Sequence, residues 1–197
     1  MAMKTKTAVI TFAMLLCWSA GNAQKSDGRK HLQFQSINQA GIVVGSAEGA
    51  LQVQTINGIR SKTWFAGLGV GLDYYHVRSI PIFLDVRKNI SDKQKSPFVY
   101  ADGGYNFPFL SKRNTKESLW MGDYNKGGGL YYEAGFGYKV DVSDKMQLLF
   151  SAGYSYKRLA ETVNLMPWLS ISPPPKNAYE IYEHTFRRVA VKVGISF

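Results

Sequence analysis

The sequence predicts an all-β chain, an eight-stranded antiparallel transmembrane up-and-down β-barrel. Three observations carry that expectation. From Trp64 to Tyr74 every second residue is apolar (Trp64, Ala66, Leu68, Val70, Leu72, Tyr74), and the positions between them hold Phe65, Gly67, Gly69, Gly71 and Asp73. The period is that of a strand. The side that would be enclosed carries glycines and a carboxylate, so the large apolar face belongs against lipid and the small or charged face lines a narrow lumen. The same alternation recurs along the chain, in segments long enough for tilted strands that need about 9 to 11 residues inside hydrocarbon. Finally, no stretch approaches the roughly 18 uninterrupted apolar residues of a helical crossing. Strands must therefore do the spanning, and only a closed sheet satisfies every backbone N–H and C=O there.

The chain opens with Lys4 and Lys6, an apolar run over 8–18, and small or polar residues ending Gly21, Asn22, Ala23. This is the layout of a secretory signal peptide, with cleavage expected after Ala23, so that 1–23 is a targeting segment and 24–197 one barrel domain. Cys17 is the single cysteine and lies in the segment to be removed. Leu16 before it and Trp18 after it argue against acylation there, and no thiol chemistry is left to the remainder.

The first strand, 32–44, places Leu32, Phe34, Ile42 and Val44 on one face and Gln33, Gln35, Gln39 and Gly41 on the other. A turn at 45–49 leads to 51–60, where Leu51, Val53, Thr55 and Ile59 alternate with Gln52, Gln54, Gly58 and Arg60. The third strand is the one described above. The fourth, 79–87, sets Ile80, Ile82, Leu84 and Val86 against Ser79, Pro81, Phe83, Asp85 and Arg87. Pro81 cannot donate to a ladder, which suits a strand start or a bulge. After polar 88–96, the fifth strand, 97–107, turns Val99, Ala101, Tyr105 and Phe107 outward and Tyr100, Asp102, Gly104 and Asn106 inward.

A long polar stretch, 108–126, precedes the sixth strand, 127–140, with Leu130, Tyr132, Ala134, Phe136, Tyr138 and Val140 against Tyr131, Glu133, Gly135, Gly137 and Lys139. The seventh, from 146 to about 159, shows Leu148, Phe150, Ala152, Tyr154 and Tyr156 outside. The eighth, 184–197, alternates Val189, Val191, Val193, Ile195 and Phe197 with Arg188, Ala190, Lys192, Gly194 and Ser196. An even strand number with both termini on one side sends the two longest connections, after strands five and seven, to the opposite, external side. Aromatic residues near strand ends, such as Trp64, Tyr74 and Phe107, suit the two lipid–water boundaries.

The net charge is +10. The basic residues are spread through turns and loops and form no stripe, which points to anionic lipid headgroups and away from nucleic acid. The inward charges Arg60, Asp73, Asp85, Arg87, Asp102, Glu133, Lys139, Lys157, Arg188 and Lys192 form the candidate lumen network. Eight strands enclose too little room for an open channel, so these groups must pair, with Gly67, Gly69, Gly71, Gly135 and Gly137 making room for larger partners. The same pairs could alternatively gate a narrow pore.

Gly67, Gly69 and Gly71 lie within a strand with no helix after them, which excludes a phosphate-cradling loop. His31, His76 and His184 are isolated, so no metal or cofactor is expected. An alternative with chemistry is a lipid-modifying enzyme at the external rim, for which Asp73, His76 and Ser79 are close in sequence. Among the loops, Lys112, Arg113, Lys116 and Lys126 with Trp120, Met121 and Tyr124 are basic and aromatic, a composition for lipopolysaccharide phosphates or a protein ligand. The loop at 159–183 carries Trp168 and the stiff run Pro173, Pro174, Pro175.

The signal layout, the eight strands and a last strand ending in Phe197 resemble small outer-membrane β-barrels of the OmpA/OmpX type, over nearly all of the chain after residue 23. The stretches 64–75 (WFAGLGVGLDYY), 78–85 (RSIPIFLD) and 97–105 (PFVYADGGY) are similar to the porin-family "outer membrane protein β-barrel domain" of Gram-negative bacteria. The resemblance implies an outer-membrane location and a monomer with periplasmic termini. It also implies that Phe197, with Val193 and Ile195 behind it, is a signal for the barrel-assembly machinery. It implies no reaction. The expected function is a non-enzymatic structural component of the envelope, or a surface binding or adhesion module acting through its external loops.

Overall fold

A computed structural model describes residues 32–46, 49–108, 124–143, 146–164 and 179–197. The expected signal segment 1–23 lies outside these residues, as do Lys112, Arg113, Lys116, Trp120 and Trp168, while Tyr124 enters by its strand assignment alone. The strands in chain order are β1 (Leu32–Gly45), β2 (Gly49–Ser61), β3 (Trp64–Asp73), β4 (Ser79–Asn89), β5 (Lys95–Pro108), β6 (Tyr124–Gly127), β7 (Gly129–Ser143), β8 (Met146–Asn164) and β9 (Tyr179–Ser196). Each long strand pairs antiparallel with its neighbours, from β1 through β5 to β7, β8 and β9. β9 returns to β1, Ile42 lying opposite Val191, and the wall closes into eight staves. Backbone bonds between Ser36 and Phe197 complete the seam at the end where the first and last described strands meet.

The alternation sorts residues by solvent. On β9, Val189, Val191, Val193 and Ile195 are 44 to 58% exposed, whereas Arg188, Ala190, Lys192 and Ser196 are at most 1% exposed. In water this arrangement would be inside out. Against acyl chains the outward residues cost nothing and the inward polar ones keep their partners.

The strands differ from the sequence expectation in two ways. The sixth strand is interrupted at Gly128, leaving short β6 paired with the far part of β8 (Gly127 opposite Ala160) and β7 with the rest. There the chain passes so close to the Asn106 carbonyl and the Tyr105 ring that a Cβ at 128 would clash with both. The other difference is length. β8 and β9 stay paired as far as Asn164 opposite Tyr179, well beyond the last apolar alternation, and Arg158 forms an ion pair with Glu183 across them. Rungs beyond the lipid need hydrogen bonds but no greasy face, so hydropathy does not mark them.

Candidate functional site

The lumen is filled in three tiers. Toward the end where Leu32 and Phe197 lie, Ile37, Ile56, Phe65, Phe98 and Leu149 pack with inward aromatic rings into an apolar cluster. A cavity of about 20 Å³ remains there, lined partly by Gln35, Arg87, Lys139 and Gln147, room for about one water. The neighbouring glycines admit the rings. A Cβ on Gly69 would strike Phe83, and one on Gly137 would strike Phe98.

The middle tier is a polar web. Arg87 donates from Nε to both Asp85 oxygens (3.0 and 2.9 Å) and from Nη2 to Asp85 Oδ2 (2.8 Å) and Gln39 Oε1 (3.2 Å). Gln39 donates to Gln54 Oε1 (2.6 Å), which also accepts from Lys192 (2.9 Å). Lys192 forms an ion pair with Glu133, and Glu133 accepts from the Tyr100 hydroxyl (2.8 Å) and the Tyr131 hydroxyl (3.0 Å). The Tyr100 ring lies 5.6 Å from both the Arg87 guanidinium and the Lys192 ammonium, within the range of cation–π attraction.

The third tier sits under the β3–β4 turn. Asp73 Oδ2 meets Arg188 Nη1 at 2.5 Å and Lys157 Nζ at 3.6 Å, while its Oδ1 accepts the Tyr75 N–H at 2.9 Å. Arg188 also donates to Ser155 (2.8 Å). Lys157 donates to the carbonyls of Val77 (2.8 Å) and Tyr75 (3.2 Å), so a fully buried ammonium ties the turn across the mouth of the barrel. Tyr75, 1% exposed, fills the space below, its ring 5.7 Å from that of Phe186. Buried charges demand such partners, because an isolated one costs several kcal/mol. Among the described residues the middle and third tiers hold four carboxylates, Asp73, Asp85, Asp102 and Glu133, and four cations, Arg87, Lys157, Arg188 and Lys192.

Three of the candidate lumen residues stand apart. Asp102 lies in register between Asp85 and Glu133, yet neither of its oxygens has a hydrogen-bond partner. Arg60 is half-buried and donates to the Lys62 carbonyl (3.1 Å), which ties it to the β2–β3 turn and not to the web. Lys139 pairs with Asp141 (3.1 Å), two positions along on the same strand and outside the candidate network. The web's connectors, Gln39, Gln54, Tyr100 and Tyr131, are not charged and also lie outside that network. Their inward parity was readable, but which groups they would bridge depends on strands far apart in sequence.

Of the residues of the enzymatic alternative, Asp73 and Ser79 lie opposite each other on the β3–β4 ladder, but the Ser79 hydroxyl is hydrogen-bonded to neither Asp73 nor His76. The Asp73 carboxylate is held by Arg188, Lys157 and the Tyr75 amide, and the His76 ring packs tilted against Phe186, centroids 5.1 Å apart. The Ser79 hydroxyl is buried without a hydrogen-bond partner. Among the described residues no group of three or more His, Cys, Asp or Glu is placed to hold a metal ion.

No protein-family model and no curated protein sequence matches this chain. Its architecture is similar to that of solved outer-membrane barrels. The outer membrane protein OprG from Pseudomonas aeruginosa aligns with a TM-score of 0.58 at 9% identity, over 83% of this chain and 95% of that one. The outer membrane protein AlkL in lipid bilayers aligns at 0.52 and 12% identity, over 89% and 94%. Neisserial surface protein A aligns at 0.51 and 12% identity, over 83% and 94%. At these identities the likeness is one of fold, that of the small outer-membrane β-barrels.

Proposed function

We propose that this protein is exported by cleavage after Ala23 and sits in the outer membrane as a monomeric, non-enzymatic barrel closed to solute flow. It serves as a structural component of the envelope or as a surface binding module acting through its external loops. The filled lumen carries this reading: Arg188, Lys157 and Lys192 are at most 1% exposed, and the cavity among the inward groups holds about 20 Å³. A path for ions would have to break buried pairs in two tiers.

With the interior occupied by its own bonds, contact with other molecules falls to the loops. Lys112, Arg113, Lys116, Trp120, Tyr124 and Trp168 supply cationic and aromatic groups for lipopolysaccharide phosphates or an external protein. Phe197, 62% exposed at the seam, is available as the assembly signal.

Planar-bilayer recording tests closure, with no unitary conductance steps expected; regular steps would establish a narrow gated pore instead. Deleting 112–126 is expected to abolish binding to lipopolysaccharide-coated surfaces or host extracts while the barrel stays folded. Lipid A mass spectra unchanged by expression of the protein would dispose of the enzymatic alternative.

A further inference from the structure

The hydrogen-bonded ladder between β3 and β4 is interrupted near its outer end, with the register unchanged across the interruption. Their ladder runs from Trp64 opposite Lys88 to Val70 opposite Ile82, then resumes only at Asp73 opposite Ser79. Gly71, Leu72, Ile80 and Pro81 fall in the gap, and Pro81 brings no N–H to close it. Beside the gap, at the end away from Phe197, lies a partly open notch of about 260 Å³ lined by Leu72, Asp73, Tyr74, Arg78, Ser79 and Ile80.

The notch is amphipathic. Leu72 and Tyr74 are 47% and 42% exposed on the lipid-facing side, and the Arg78 guanidinium lies 5.5 Å from the Tyr74 ring. On the inner side the Ser79 hydroxyl, 2% exposed, has no hydrogen-bond partner. Asn106, opposite Pro81 on β5, is fully buried with both side-chain amide atoms unpartnered. Buried polar atoms are nearly always satisfied, so the unsatisfied Ser79 hydroxyl that lines the opening calls for a polar atom arriving from outside. The local charge decides their sign. Asp73 is already matched by Arg188 and Lys157, which with Arg78 leaves an excess of positive charge around the notch.

We propose that this notch binds one anionic, phosphate-bearing acyl lipid of the surrounding leaflet. The phosphate lies against Arg78, a headgroup oxygen reaches the Ser79 hydroxyl, and an acyl chain runs along Leu72 and Ile80. The site rests on the membrane-spanning reading but on neither the closure of the lumen nor the role of the loops, so failure of those leaves it standing.

The test uses the full barrel in phosphatidylcholine nanodiscs doped with lipid A, released into mild detergent and weighed by native mass spectrometry. Wild type is expected to retain lipid A in preference to phosphatidylcholine. Arg78→Gln should reduce retention about tenfold, the loss of one charge-assisted contact, and Arg78→Lys should recover part of it. Ile80→Trp, which fills the notch from the lipid side, should reduce retention to background, with unchanged heat-modifiable gel migration showing an intact barrel. Equal retention in wild type, Arg78→Gln and Ile80→Trp would overturn the proposal. So would equal retention of phosphatidylcholine, or a dimer mass in place of the lipid adduct.

Discussion

Glu133 is met from three sides, by Lys192 and by the hydroxyls of Tyr100 and Tyr131. Lys192→Met therefore leaves a buried carboxylate without its counter-charge, and urea unfolding in detergent should record a loss of about 3 to 5 kcal/mol. The double variant with Glu133→Gln should lose less than the two single effects combined. Asp102 is the opposite case. It shares a register row with Asp85 and Glu133 but accepts no hydrogen bond. Asp102→Asn should be neutral or stabilise by about 1 kcal/mol, while Asp85→Asn, which strips Arg87 of its charged acceptor, should be clearly destabilising. The sequence put both aspartates inward by parity alone and could not distinguish them. Partnership here depends on how far a side chain reaches across the lumen, as with Asp73 and Arg188, which are 115 residues apart.

At the scale of strands, parity in the sequence located all eight staves, because a barrel strand with lipid on one face and the lumen on the other must alternate with a period of two. It could not see where pairing outlives the membrane, hence the unexpected length of β8 and β9 and the detached β6. Nor could it say what an inward glycine accommodates. Between β3 and β4, Gly69 lies opposite Phe83, whose ring occupies the place of a Cβ. Gly69→Ala should cost about 1 to 3 kcal/mol through overpacking. Adding Phe83→Leu should recover much of the loss, a coupling that two independent sites would not show. Gly103, on β5 and facing outward, has nothing within 4 Å of an added Cβ. Gly103→Ala should leave stability unchanged or raise it, since glycine in a strand costs roughly 0.5 to 1 kcal/mol. If both alanine variants behaved alike, ring-to-glycine packing would not be what sets the spacing of these strands.

For the molecule as a whole, the interior closes on itself and the outside needs lipid, which separates stability from surface contact. The bonds that complete the wall are those of β1 with β9, β8 with β9 and β7 with β8, the last running from Tyr131 opposite Lys157 to Ser143 opposite Met146. A deletion of 112–126 removes most of β6, whose four residues pair only with β8, and leaves those ladders whole. The shortened chain should still fold in detergent micelles, migrate as a compact species until boiled, and unfold within about 1 kcal/mol of the intact protein, because exposed connections add little to a cooperative wall. In plain buffer both forms should aggregate, the belt of exposed Val, Leu and Phe side chains having no solvent it can accept. Loss of the heat-modifiable species on deletion would mean that the connection between β5 and β7 is a structural part of the barrel. Binding lost along with it could then no longer be credited to Lys112, Arg113, Lys116 and Trp120 as contacts.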